Sequence, residues 1–136
     1  MDASALDVAE RLFTAIGHGD IDAVRACYAD EVVVWHNNDG LEQTRDQHLR
    51  TLAWVIKNVS DRRYEEIRRQ LTPTGFVQQH VLRATITATG EHYAMPACII
   101  CTVVDGRITR LDEYMDSAHV APLTRAAEAM RAKTSG

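Results

Sequence analysis

The sequence predicts an α+β domain in which helices come first, strands fill the second half, and the sheet wraps a partly apolar pocket. Three observations carry this. Apolar residues recur at helical spacing, behind capping residues, through the first third of the chain. From about Arg62 onward the pattern changes to alternation with period two. Asp105-Gly106, between two apolar runs, is the strongest hairpin signal in the chain.

Ser4-Ala5-Leu6-Asp7 resembles a capping box, and Leu6, Ala9, Leu12 or Phe13, and Ile16 follow on one helical face. Gly17 and Gly19 end that helix, and Asp20 caps a short second one carrying Ile21, Val24 and Cys27. Val32 to Trp35 is β-branched and reads as a strand, broken by Asn37-Asn38-Asp39-Gly40. Thr44 and Gln47 form a second capping box, and the helix behind it buries Leu49, Leu52, Ile56 and Val59.

Arg62 to Leu71 is polar at most positions and suits an edge strand or an exposed face, with its arginines solvated. Pro73-Thr74-Gly75 is a turn. In the next strand Phe76, Gln78, His80, Leu82, Ala84 and Ile86 share one face. Thr89-Gly90-Glu91 turns the chain again. Tyr93 to Val104 is apolar on both faces and is expected to be central and covered on both sides. Arg107 to Asp116 is the last strand, and Leu123 to Lys133, after Pro122, is a terminal helix whose end at Thr134-Ser135-Gly136 frays.

The 136 residues suit one domain spanning 1–136, and 46% apolar content is ordinary for a globular chain. A net charge of −4 without a one-sided basic face argues against nucleic acid as a partner. No stretch approaches the about 18 apolar residues of a membrane span. The N-terminus has neither the basic nor the apolar part of a secretory signal, so a cytoplasmic location is expected. Cys98 and Cys101 match C-x-x-C, but three positions apart on a strand they face opposite ways. With Cys27 they read as structural thiols.

Two stretches then resemble a known superfamily. Ala9-Glu10-Arg11-Leu12-Phe13 followed by Gly19-Asp20-Ile21-Asp22-Ala23-Val24, and Tyr28-Ala29-Asp30-Glu31-Val32, resemble the opening of nuclear transport factor 2-like domains. Asp105-Gly106-Arg107-Ile108 leading into Leu111-Asp112-Glu113-Tyr114 is similar to that superfamily's last hairpin. The resemblance implies a cystatin-like, cone-shaped α+β barrel with an internal pocket. The relatives include ketosteroid isomerases, SnoaL-like polyketide cyclases, limonene-epoxide hydrolases and dehydratases. It also implies a homodimer built through the outer face of the sheet.

Carried over by position, His36 matches the general-base aspartate of the isomerases and the water-positioning asparagine of the epoxide hydrolases. His80 matches the hydrolases' arginine. Glu113 matches their last catalytic aspartate and the last-strand aspartate of SnoaL-like cyclases. Leu12 and Cys98 stand where the isomerases have their tyrosine and oxyanion-hole acid. Leu82 and Val34 stand where the hydrolases have their middle aspartate and tyrosine. Neither catalytic set is complete.

The residues point to the same positions. A carboxylate at Glu113, between Leu111 and Met115, is costly unless paired or protonated, and an imidazole is its natural partner. The expectation is a His36–His80–Glu113 cluster in the pocket. Glu113 is the acid/base, His80 holds it or shuttles its proton, and His36 acts from the opposite wall. Val34, Leu82, Cys98, Leu111, Met115, Trp54 and Leu12 are the expected substrate-binding residues. His48 and His119 are secondary candidates near the pocket mouth, while His18 and His92 fall in turns.

The function expected is a cofactor-independent acid/base enzyme, of isomerase, cyclase, dehydratase or hydrolase type, acting on a small, largely apolar molecule. No cofactor is implied, since the chain has no glycine-rich phosphate loop. Two histidines and a glutamate also suit zinc or iron, the sharper alternative for the same three residues. A non-catalytic ligand- or partner-binding domain is the second function compatible with the pattern.

Overall fold

The computed structural model describes residues 3–135. The helices α1 (Ala3–His18), α2 (Ile21–Ala26), α3 (Arg45–Asn58) and α4 (Ser117–Ser135) accompany six strands. These are β1 (Tyr28–His36), β2 (Glu42–Gln43), β3 (Val59–Thr72), β4 (Gly75–Ile86), β5 (His92–Val104) and β6 (Arg107–Met115). They form one curled, open sheet in the order β2-β1-β6-β5-β4-β3. The run from β3 to β6 is the expected meander, and β1 lies parallel to β6 while every other pair is antiparallel.

The local signals act as their chemistry predicts. Asp20 accepts the amide of Ala23 at 3.1 Å, and the Thr44–Gln47 capping box is complete. Asp105 and Gly106 both take positive φ, 52° and 75°, as a primed hairpin turn requires. The side chain of Ser4, the expected cap of the first helix, lies outside the described residues. β2 has no sequence signal beyond its two residues, and β1 begins at Tyr28, earlier than its β-branched run.

Three expectations are corrected. β5 is central in the sheet but covered on one face only. Tyr93, Met95, Ala97, Ile99 and Cys101 are buried, whereas Ile100 is 44% exposed and Tyr114, the β6 partner of Cys98, 45%. α4 starts at Ser117 rather than after Pro122, because Asp116 supplies its start: the side chain accepts from Ala118 N and the carbonyl from His119 N. Pro122 then costs the helix a single backbone bond.

The third correction concerns β3. It is an edge strand, as expected, but it is not simply solvated. Bulges interrupt its pairing between Ser60 and Arg63 and between Glu65 and Arg68, with Asp61 and Glu66 at φ 54°. Each extra residue resets the alternation, so Arg62, Tyr64 and Arg69 turn toward the helices. The Arg62 guanidinium donates to the carbonyls of Ile16 and Gly17 at the end of α1, and of Ile56 and Val59 at the end of α3. One cation thus satisfies orphan carbonyls of two helix termini, where the helix dipoles also favour positive charge.

Two apolar clusters fill the concave side of the sheet. The larger joins α1 and α2 to β1 and β6 through Val8, Leu12, Phe13, Val24, Tyr28, Val34, Ile108 and Leu111. The smaller gathers Val59, Ala84, Tyr93, Met95 and Ala97 beneath α3 and α4, with Trp54, Leu82 and Met115 packed against it. Among the described residues no helix is long and apolar enough to cross a membrane.

Candidate active site

The parallel pairing of β1 with β6 places His36 beside Glu113 in register, both on the concave face. Their side chains meet, His36 Nε2 lying 3.0 Å from Glu113 Oε1, and they are only 18% and 14% exposed. The strand ends are pinned around them. Asn37 N donates to the Glu113 carbonyl at 3.0 Å, and the Asn37 side chain accepts from Met115 N at 2.8 Å. Burial alone would push the His36 pKa down. The hydrogen bond to Glu113 and the negative charges of Glu113 and Asp39 outweigh it, and the pKa is raised.

This pair lies on the wall of a cavity of about 230 Å³. Its apolar lining comes from Leu52, Val55, Leu82, Met95, Met115, Val120 and Leu123, and its polar lining includes Gln43, His48, Tyr64 and Tyr93. His48, from α3, lies with its ring 5.8 Å from that of His36 and hydrogen-bonds Tyr28 Oη through Nε2 at 3.2 Å. Burial first, and the neighbouring His36 charge second, lower the His48 pKa to about 4, with Glu113 opposing. One imidazole is thus held toward its charged form and the next toward its neutral form.

His80 does not join them. In the cross-strand rows Glu113 pairs with Ile99 and His80 pairs with Ala97, so β5 stands between the two. Two strand spacings amount to about 10 Å. His80 sits instead in the slot opened by the second β3 bulge, between the rings of Tyr64 (4.8 Å) and Phe13 (5.4 Å). Its Nδ1 contacts Gln78 Nε2 at 2.9 Å, and Gln78 Oε1 accepts from Arg69 at 2.7 Å. Since an arginine only donates, the amide oxygen must face it, and the amide N–H₂ donates to His80 Nδ1. His80 therefore carries its proton on Nε2. Burial lowers its pKa, Glu113 opposing and Arg69 reinforcing.

The expected three-residue cluster is corrected to a His36–Glu113 pair. His36 is Glu113's neighbour and not a group on the opposite wall. Among the described residues no three His, Cys, Asp or Glu side chains come together as a metal-binding group. Of the expected substrate-binding residues, Leu82 and Met115 line the cavity. Leu12, Val34 and Leu111 lie beneath it, in the larger core cluster. Trp54 packs at the smaller cluster and borders a shallow cleft with Ala127 and Arg131 of α4. Cys98 faces outward beside Pro96 and Tyr114, because the strand's alternation gives the concave face to Ala97 and Ile99. His119 is exposed.

Among the polar cavity residues that the sequence pattern did not indicate are Gln43, Tyr64 and Tyr93, and it gave no sign of Tyr28's contact with His48. Tyr64 was hidden by the bulges. For Gln43 and His48 a signal did exist. The capping box makes Thr44 the N-cap, and so puts Gln43 and His48 at the N′ and N4 positions, where side chains normally meet.

A family model for the SnoaL-like domain matches residues 9–111. The chain belongs to the SnoaL-like family. Solved structures agree on the fold. A candidate polyketide cyclase from Xanthomonas campestris pv. campestris superposes with a TM-score of 0.76 at 21% identity, covering 86% of this chain and 93% of that one. An LEH-like epoxide hydrolase from M. tuberculosis gives 0.74 at 20% identity, covering 97% and 98%. AclR, a candidate hydroxylase from Streptomyces galilaeus, gives 0.79 at 12% identity, covering 91% and 87%. No functionally curated protein matches the chain. At these identities the likeness is one of fold, and this SnoaL-like chain shares its cone fold with proteins whose descriptions name several chemistries.

Proposed function

We propose that this protein is an acid/base enzyme that needs no cofactor and moves a proton on a small, largely apolar organic molecule. The observation that carries the reading is the His36–Glu113 pair, mostly buried and 3.0 Å apart, on the wall of a cavity whose remaining lining is largely apolar. In such a setting the carboxylate has an imidazole at its side that stays protonated to higher pH than usual, so that an acceptor and a donor of protons stand together. Glu113 takes a proton from carbon next to a carbonyl. His36 hydrogen-bonds that carboxylate and supplies the proton that returns to the enolate or to its leaving oxygen. Isomerisation, aldol-type cyclisation, dehydration and water addition all use this pair of steps. The candidate polyketide cyclase among the structural neighbours is compatible with it.

The test is deuterium wash-in at the α-carbons of a panel of small apolar ketones, followed by NMR. The wild-type protein should exchange at least one ketone well above buffer, and Glu113→Gln should lower that rate by about 10²–10⁴-fold. Exchange at the buffer rate across the panel, or an unchanged rate in Glu113→Gln, overturns the reading.

A further inference from the structure

The start of α3 breaks a local rule. Residues at N′ and N4 of a capped helix usually form an apolar contact that fixes how the chain enters the helix. Here those positions hold Gln43 and His48. Both line the cavity, and each has a buried polar atom, Gln43 Oε1 and His48 Nδ1, with no hydrogen-bond partner among the described residues. The only other such side-chain atom is Arg45 Nε, whose residue pairs with Asp30 and Asp46. Leaving a buried donor or acceptor unpaired is costly, and natural sequences break local rules of this kind at functional sites.

The hydrogen bonding narrows what belongs there. The Tyr28 hydroxyl is buried and its contact is His48 Nε2. With the phenol donating, Nε2 accepts and Nδ1 carries the proton. His48 then needs an acceptor, and Gln43 Oε1 needs a donor. A hydroxyl is both at once. It also serves if the amide or the imidazole takes the opposite orientation, because it donates or accepts as required. The neutral state of His48, held by burial and the charge of His36, fits a neutral ligand group better than an anion.

We infer that Gln43 and His48 form a recognition site for a hydroxyl on the bound molecule, so that the ligand is an amphipathic alcohol, enol or hydroxyketone with its apolar part toward Leu82, Met95 and Leu123. This rests on the cavity being the substrate site and names the substrate class for it. It assigns Gln43 and His48 to binding and orientation, with proton transfer left to Glu113 and His36.

Two isomeric probes test it: 2-cyclohexylethanol, which donates and accepts, and cyclohexylmethyl methyl ether, which only accepts. Binding is followed by chemical-shift titration of the ¹⁵N-labelled protein. The alcohol should bind about tenfold more tightly than the ether. That preference should fall to near unity in Gln43→Leu with the ether's affinity kept, whereas His48→Leu should weaken both probes alike, because both accept from His48 Nδ1–H. If His48→Leu does not fold, Gln43→Leu alone carries the comparison. Equal binding of the two probes, a preference that survives in Gln43→Leu, or no binding of either probe each overturns the inference. Failure of the proton-transfer reading looks different. Deuterium exchange would then be absent while the alcohol preference remained, in Glu113→Gln as in the wild type.

Discussion

His36 and His80 both face the concave side of the sheet, and both are largely buried, yet they are held in opposite states. His36 has a carboxylate for its partner, and its pKa is raised. His80 has an amide, between two aromatic rings, and its pKa is lowered. Burial acts the same way on both, so the partner decides. A carboxylate rewards the imidazolium, whereas an amide N–H₂ donating to Nδ1 occupies the site where a second proton would go. The first setting opens on a cavity and suits chemistry. The second is closed by Phe13 and Tyr64 and linked through Gln78 and Arg69 to Glu10 on α1, which suits holding the helix to the sheet.

The largest effect should separate the two in catalysis. On any ketone the protein exchanges, His36→Gln should lower kcat/KM by about 10²–10³-fold, the range expected when a positioned proton donor is removed. His80→Gln should change it by less than about threefold, with its loss appearing in stability. Comparable losses from both substitutions would mean that His80 reaches the reacting atoms after all.

The next effect is on stability against pH, where the histidines pull in opposite directions. A pKa lowered by folding stabilises the native state fully above the unfolded value, and that contribution is lost as the pH falls. For His48 the window runs from 6.5 down to about 4, a change of about 3 kcal/mol. His80 acts in the same sense. His36, with its pKa raised, contributes below its unfolded value and loses that contribution as the pH rises through the folded one. Urea unfolding from pH 7 to pH 4 should therefore show a steep loss, and His48→Gln should flatten it. An unchanged slope in that variant would assign the acid sensitivity elsewhere.

How much of this was legible in the sequence follows from how local each signal is. The caps at Asp20 and Thr44, the Asp105-Gly106 turn and the alternation of β4 depend on neighbours in the chain, and they hold. The concave placement of His36, His80 and Glu113 also follows from alternation. Which of them touch does not, because it depends on strand order. β6 lies between β1 and β5, so Glu113 meets His36 and is separated from His80. Tyr64 and Arg62 depart from the exposed face expected of their strand for a different reason. A bulge adds one residue and inverts the inside and outside of everything after it, and neither Asp61 nor Glu66 is a glycine that would have marked the spot. Cys98 was placed by resemblance on a wall that its own strand parity denies it.

The smallest effect concerns the tautomer that holds the closed region together. Gln78 is fully buried and bridges Arg69 to His80, donating to one and accepting from the other. Gln78→Leu should cost about 1–3 kcal/mol, chiefly because it leaves the Arg69 donor and His80 Nδ1 without partners in a buried slot. Gln78→Glu should behave differently. Its carboxylate still accepts from Arg69 but offers His80 no N–H, so His80 should take up a proton on Nδ1 and its pKa should rise toward the behaviour of His36. Long-range ¹⁵N–¹H spectra of the imidazoles distinguish these states directly. In the wild type at pH 7 they should show His80 protonated on Nε2 alone, and in Gln78→Glu the imidazolium. A wild-type His80 protonated on Nδ1 would reverse the direction of the amide bridge. The contrast between the two histidines would then rest on the Glu113 carboxylate beside His36 alone.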